Sequence, residues 1–140
     1  MKKLIIFIIF LWIFMFCYIA WGYRAYTLNE VVASVICAEA VGEGHKGLYA
    51  VANVVANRSK VWHKTPYEIV TQKNQFYGYT SKNREELYNQ GKDYCDYLTR
   101  NILELDDITK GAIYFRKTGE KKQKWHWKFC IKIKNHIFYK

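Results

Sequence analysis

Apolar and polar positions along this chain fall into three regimes. The first is an uncharged run from Leu4 to Tyr23, filled with Ile, Leu, Phe and Trp. A run of about 20 such residues matches the thickness of a hydrocarbon core when helical. Lys2 and Lys3 precede it, and Trp21 and Tyr23 stand at its far edge, where an interfacial aromatic belt belongs. The pattern predicts one N-terminal transmembrane helix within residues 1–25. The basic flank places the N-terminus in the cytoplasm and the following domain outside it, on the periplasmic or wall side. A cleavable signal segment is the alternative, although no clear small-x-small site precedes Tyr23.

The second regime has helical periodicity. Thr27-Leu28-Asn29-Glu30 reads as a capping box, followed by Val31, Val32, Val35, Ile36 and Ala40 on one face. That helix should end near Gly42. A second helix is expected over 46–60, with Leu48, Val51, Ala52, Val54 and Val55 on its apolar side. Thr65-Pro66-Tyr67-Glu68 opens a third, short one. Residues 72–81 lack periodicity and read as a loop. Residues 83–105 read as a long helix, closed by a turn at 106–111. The third regime alternates: 112–115, 125–133 and 136–139 read as extended segments, with a basic turn at 117–124. The whole is α+β: a small, mainly helical domain, residues 26–140, with a short C-terminal β region, preceded by the membrane segment.

Composition narrows the class. Half the residues are hydrophobic and one is proline, so the domain is expected to fold. The formal net charge is +10, and 116–134 carries eight basic residues against Glu120 alone. Such a surface attracts polyanions. For a domain facing outward, an anionic wall or lipid fits and nucleic acid does not. Outside the apolar run stand Cys37, Cys95 and Cys130. One pair can form in an oxidising compartment, and the sequence does not choose which.

The candidate chemistry lies at the end of the first domain helix, in Ala38-Glu39-Ala40-Val41-Gly42-Glu43-Gly44. Carboxylates at a helix C-terminus oppose the partial negative charge there. A local rule broken without structural gain marks a candidate site. A glutamate against apolar packing has a raised pKa, as a general acid for glycosidic cleavage requires. The bland readings are an exposed helix residue for Glu39 and a backbone-amide ligand for Glu43. Asn57 and Arg58 read as capping or pairing residues. Gln75, Phe76 and Tyr77 suit a sugar groove or a packed loop. Thr109 suits substrate donation or turn formation, and His136 reads as a structural histidine or a site residue. His126, Cys130 and His136 match no standard zinc spacing, so neither metal nor cofactor is expected.

Several pieces stand in order: Ala38-Glu39-Ala40-x-Gly42-Glu43, Gly47, Ala50-Val51-Ala52-x-Val54-x-x-Asn57-Arg58, Pro66 and Gln75-Phe76. Then come Asp107-x-Thr109-x-Gly111-Ala112-x-Tyr114-Phe115, Trp125-His126 and Asn135-His136-x-Phe138-Tyr139. This set resembles the cell-wall hydrolase family of the spore-cortex-lytic enzymes, which also occurs in bacteriophages, over nearly the whole domain. The resemblance implies a lysozyme-like fold and cleavage of the β-1,4 bond between N-acetylmuramic acid and N-acetylglucosamine in peptidoglycan glycan strands. It implies a lytic transglycosylase reaction with Glu39 as acid and Glu43 in support. Gln75, Phe76, Tyr77, Thr109, Tyr114, His126 and His136 become the candidate substrate-binding residues. The chain departs from the family pattern in its N-terminal helix, where a wall-binding repeat is typical, and in its basic turn. A hydrolytic muramidase or glucosaminidase, and a non-catalytic wall-binding module tethered to the membrane, are the alternatives.

Overall fold

A computed structural model describes residues 2–121 and 126–140, with the side chains of the first helix described over 6–19 and from Leu28 onward. The chain forms five α-helices and three strands among these residues. Helix α1 runs from Lys2 to Ala40 without interruption. It therefore passes through the expected capping box at Thr27. Backbone amides there find carbonyls one turn upstream, so a cap has nothing to satisfy.

The expectation of a transmembrane helix is corrected. Among the described residues no helix is long and apolar enough to cross a membrane. The N-terminal run is instead the leading part of one helix that continues into the domain core. The membrane tether, and the placement outside the cytoplasm that followed from its flanking lysines, fall with it.

A single 3₁₀ turn, Val41–Glu43, leads into α2, Gly44–Trp62. Helix α3, Pro66–Val70, begins as expected with Pro66 in its first turn; the structure adds a reciprocal capping box between Thr65 and Glu68. The segment read as a loop contains one helical turn, α4, Tyr77–Thr80. Helix α5 spans Arg84–Arg100 and breaks helical geometry at Gly91.

The main core joins α1 to α2, α3 and α5 through Val32, Val35, Ile36, Leu48, Val51, Val55, Ile69, Val70 and Leu98. A disulfide between Cys37 and Cys95 ties α1 to α5, a choice the sequence left open. Gly91 is the close-approach position beside it. A Cβ there would lie 2.9 Å from Cys37 Sγ and 3.2 Å from Val41 Cγ2.

Strands β1 (Tyr114–Lys117), β2 (Phe129–Ile133) and β3 (His136–Tyr139) form an antiparallel sheet in the order β1-β3-β2. The sheet packs Cys130, Ile133 and Phe138 against Ala50 and Val54 of α2. Two asparagines on the same helix hold the preceding turn. Asn53 Nδ2 donates to the Asp106 carbonyl at 3.1 Å and its Oδ1 accepts from Ile108 N at 3.0 Å. Asn57 Nδ2 donates to Asp107 Oδ2 and to the Ala112 carbonyl. Helix α2 thus fixes where the sheet begins, and the register pairs Lys117 with His136 at the end nearest α1's last turn.

Candidate active site

Glu39 sits in the last turn of α1, in the wall of a cleft of about 460 Å³. The cleft lies between that turn, the 74–77 segment and the β1–β3 edge. Asn74, Gln75 and Tyr77 supply one side; Phe115, Arg116, Lys117, Glu120 and His136 supply the other. A larger depression of about 600 Å³ runs along α5 between His45 and Tyr97, but its charged side chains, Lys92 and Asp93, are exposed. Nothing in it resembles the half-buried carboxyl of the Glu39 cleft.

The placement of Glu39 depends on α4. Phe76 is buried and anchors the segment against the core. The next turn brings the Gly78 amide onto Glu39 Oε1, donating at 2.5 Å. Only glycine fits that approach: a Cβ at position 78 would lie 2.8 Å from the Val35 carbonyl and 3.2 Å from Glu39 Oε1. Burial pushes the Glu39 pKa above its ordinary 4.5. The Gly78 amide and the Lys117 and Arg58 charges pull the other way, and the Glu120 charge adds to the rise. Desolvation wins, so the net shift is upward.

Two further side chains in the cleft wall bury polar atoms without partners. His136 is fully buried, and neither ring nitrogen has a hydrogen bond. Its ring meets Phe115 edge-on, with centroids 5.3 Å apart. Burial lowers its pKa below 6.5, which keeps the imidazole neutral near pH 7. Arg58 is 3% exposed and its Nη1 has no partner.

Glu43 belongs to a different setting. Its carboxylate accepts from Asn135 N at 3.0 Å and from Asn135 Nδ2 at 3.3 Å. Those bonds, the backbone one foremost, hold its pKa below 4.5. Glu43 thereby ties the start of α2 to the β2–β3 turn next to His136, and it does not line the cleft.

The remaining sequence candidates divide. Gln75 and Tyr77 line the cleft, with Tyr77 80% exposed. Phe76 and Tyr114 stand behind it, both against Arg58. Thr109 is fully buried, and its hydroxyl donates to Asp107 at 2.6 Å, inside the turn. His126 is exposed and is not among the described residues of the cleft wall. Trp125 lies outside the described residues. Arg116, Lys117, Glu120 and Asn74 line the cleft without having been singled out as site residues. Arg116, Lys117 and Glu120 fall in the basic stretch 116–134 and Asn74 in the segment read as a loop, and neither signal says where a side chain points. Among the described residues no group of three His, Cys, Asp or Glu side chains converges as metal ligands would.

Comparison with curated proteins and with solved structures returns no match. The profile of the cell wall hydrolases does match, over residues 42–139, seven-tenths of the chain. That stretch takes in α2, the α4 segment and the whole sheet, and begins three residues after Glu39. On this match, the chain belongs to the cell wall hydrolase family, hydrolases that act on peptidoglycan.

Proposed function

We propose that this protein is a glycosidase of the spore-cortex-lytic, lysozyme-like type. On this reading it cleaves the β-1,4 bond between N-acetylmuramic acid and N-acetylglucosamine as a lytic transglycosylase, with residues 26–140 as the catalytic unit. The observation that carries it is a half-buried Glu39, its pKa raised by burial, in a cleft of about 460 Å³. Protonated Glu39 donates to the glycosidic oxygen as the C1–O bond breaks and positive charge develops on the ring. The resulting carboxylate accepts the proton of the sugar's own 6-hydroxyl as that oxygen closes on C1. The product is a 1,6-anhydro end, and no water enters. Gln75, Tyr77 and the neutral imidazole of His136 contact the sugars. Glu43 acts at one remove, by holding the hairpin that carries His136.

A second reading follows from Glu120. This carboxylate lines the same cleft and accepts from Lys117 N at 3.0 Å. As a base for water it would make the reaction a hydrolysis by two carboxyls. Mass spectrometry of products from purified peptidoglycan separates the two. Anhydro ends from wild type, lost in Glu39→Gln and retained in Glu120→Gln, support the transglycosylase. Reducing ends lost in both variants support hydrolysis. No product from the folded full-length chain overturns both.

A further inference from the structure

Arg58 leaves α2 and enters a box of aromatic rings. Its guanidinium carbon lies 4.9 Å from the Phe76 centroid, 5.2 Å from Trp62 and 5.7 Å from Tyr114. Nε donates to the Ile113 carbonyl at 2.6 Å. Together these contacts fix the plane of the fork and compensate its charge. They do not satisfy Nη1, which is buried and unpartnered in a residue that lines the Glu39 cleft. A buried donor without an acceptor carries its full desolvation cost, so a native structure that keeps one in a binding cleft has a use for it.

No acceptor of the cleft wall bonds Arg58 Nη1; Glu39 Oε1 takes the Gly78 amide, and Glu120 Oε2 takes the Lys117 amide. A direct Arg58–Glu39 bond would lower the Glu39 pKa, against the direction in which burial moves it. A bound ligand can supply the missing acceptor. A guanidinium held in a fixed plane prefers a planar oxygen pair, carboxylate above all. Arg116 and Lys117 on the same wall make that part of the cleft positive. Burial brings the Arg58 pKa down only to about 10, so the charge persists at neutral pH.

Hydroxyls and acetamido groups occur on both sugars of a peptidoglycan strand. A carboxyl-derived group on the ring occurs only on muramic acid, as its 3-O-lactyl arm. We propose that Arg58 binds the free lactyl carboxylate of muramic acid rings that carry no peptide stem, and so selects such denuded muramic-acid glycans over plain N-acetylglucosamine chains. The assignment rests on the glycosidase reading above.

The test compares two substrates on the full-length chain: glycan strands stripped of peptide, with free lactyl carboxylates, and the same strands with those carboxylates reduced to alcohols. Loss of a charge-assisted bond predicts that reduction lowers wild-type kcat/KM by about tenfold to a hundredfold. Arg58→Gln should lose a similar factor on the carboxylate strand and show no further loss on the reduced one. Arg58→Lys should recover part of the preference. Should both variants unfold, Arg116→Gln and Lys117→Gln decide: a carboxylate preference kept in both supports Arg58, and its loss in either overturns the assignment. Binding of both strands to Glu39→Gln separates the two readings. Preferential binding of the carboxylate strand without any wild-type cleavage overturns the glycosidase and keeps Arg58 as its ligand. Equal cleavage of both strands overturns the Arg58 proposal and keeps the glycosidase. Binding to neither overturns both.

Discussion

Two parts of this molecule, the cleft around Glu39 and the brace around Glu43, start from carboxylates four residues apart and move their pKa values in opposite directions. Around Glu39, α4 closes over the side chain, and burial outweighs one amide bond and two nearby cations, so its pKa rises. Around Glu43, Asn135 supplies two donors to a carboxylate with little burial to oppose them, so its pKa falls. Spacing in the motif is the same for both. What differs is the element packed against each side chain: a buried turn for the first, a hairpin tip for the second.

Replacing each with glutamine should separate the two most sharply. Glu39→Gln should lower cleavage of peptidoglycan by about a hundredfold to ten-thousandfold, the range of a lost general acid. Glu43→Gln should leave activity within about tenfold, since the Asn135 bonds are structural and partly exposed. Equal losses in a turnover assay would erase the distinction.

The disulfide distinguishes the two settings by stability. Cys37 is on α1 two residues before Glu39, and its bridge to Cys95 closes a separation of 58 residues. Removing it with Cys37→Ser and Cys95→Ser together should cost about 4 kcal/mol in the chain-entropy account. Hydrogen exchange should then rise first along α1 and α5, with the β2–β3 hairpin retaining protection. The reverse order would show that the brace, not the bridge, secures the cleft.

Gly78→Ala tests the closure itself. The added methyl meets the Val35 carbonyl at 2.8 Å, so the turn must shift and the amide must leave Glu39. Melting should fall by several degrees. The alkaline limb of activity should move upward, because a bond that lowered the Glu39 pKa is gone.

The smallest effects come from pH. Glu39 has a folded pKa above the unfolded 4.5, so its contribution to stability is greatest at low pH and is lost as pH rises through the folded value. Glu43 has a folded pKa below 4.5, so its contribution is present at neutral pH and is lost as pH falls through that lower value. Thermal melts should show Glu39→Gln more stable than wild type at pH 7, with the gap closing toward pH 4. Glu43→Gln should be less stable at pH 7, with its gap shrinking on acidification. Lys117→Met should raise the Glu39 pKa further and extend activity to higher pH; Glu120→Gln should do the opposite. pH profiles of kcat/KM measure both.

Local pattern was enough to anticipate the start of α3 at Pro66, the helical face of α2 and three extended segments at the C-terminal end. Each is decided by neighbours within a few residues. The same pattern predicted a helix start at Thr27 and a membrane span before it, and both failed against one continuous α1. A cap is only needed where a helix begins, and whether it begins there depends on what lies upstream. The 72–81 segment reads as a loop because its helical turn is only four residues long, too short for periodicity to register.

By itself, the sequence determined the α+β class, the order of most elements, and Glu39 as a carboxyl placed where a helix end disfavours it. Tertiary structure decided the Cys37–Cys95 pairing, the closure of Gly78 over Glu39, and the division between Glu39 and Glu43. It also put Arg58, His136, Lys117 and Glu120 around one cleft. Those four positions come from α2, from two strands and from the connection after β1, and nothing local relates them. Burial sets the chemistry of Arg58 and His136, and burial is a property of the packed chain.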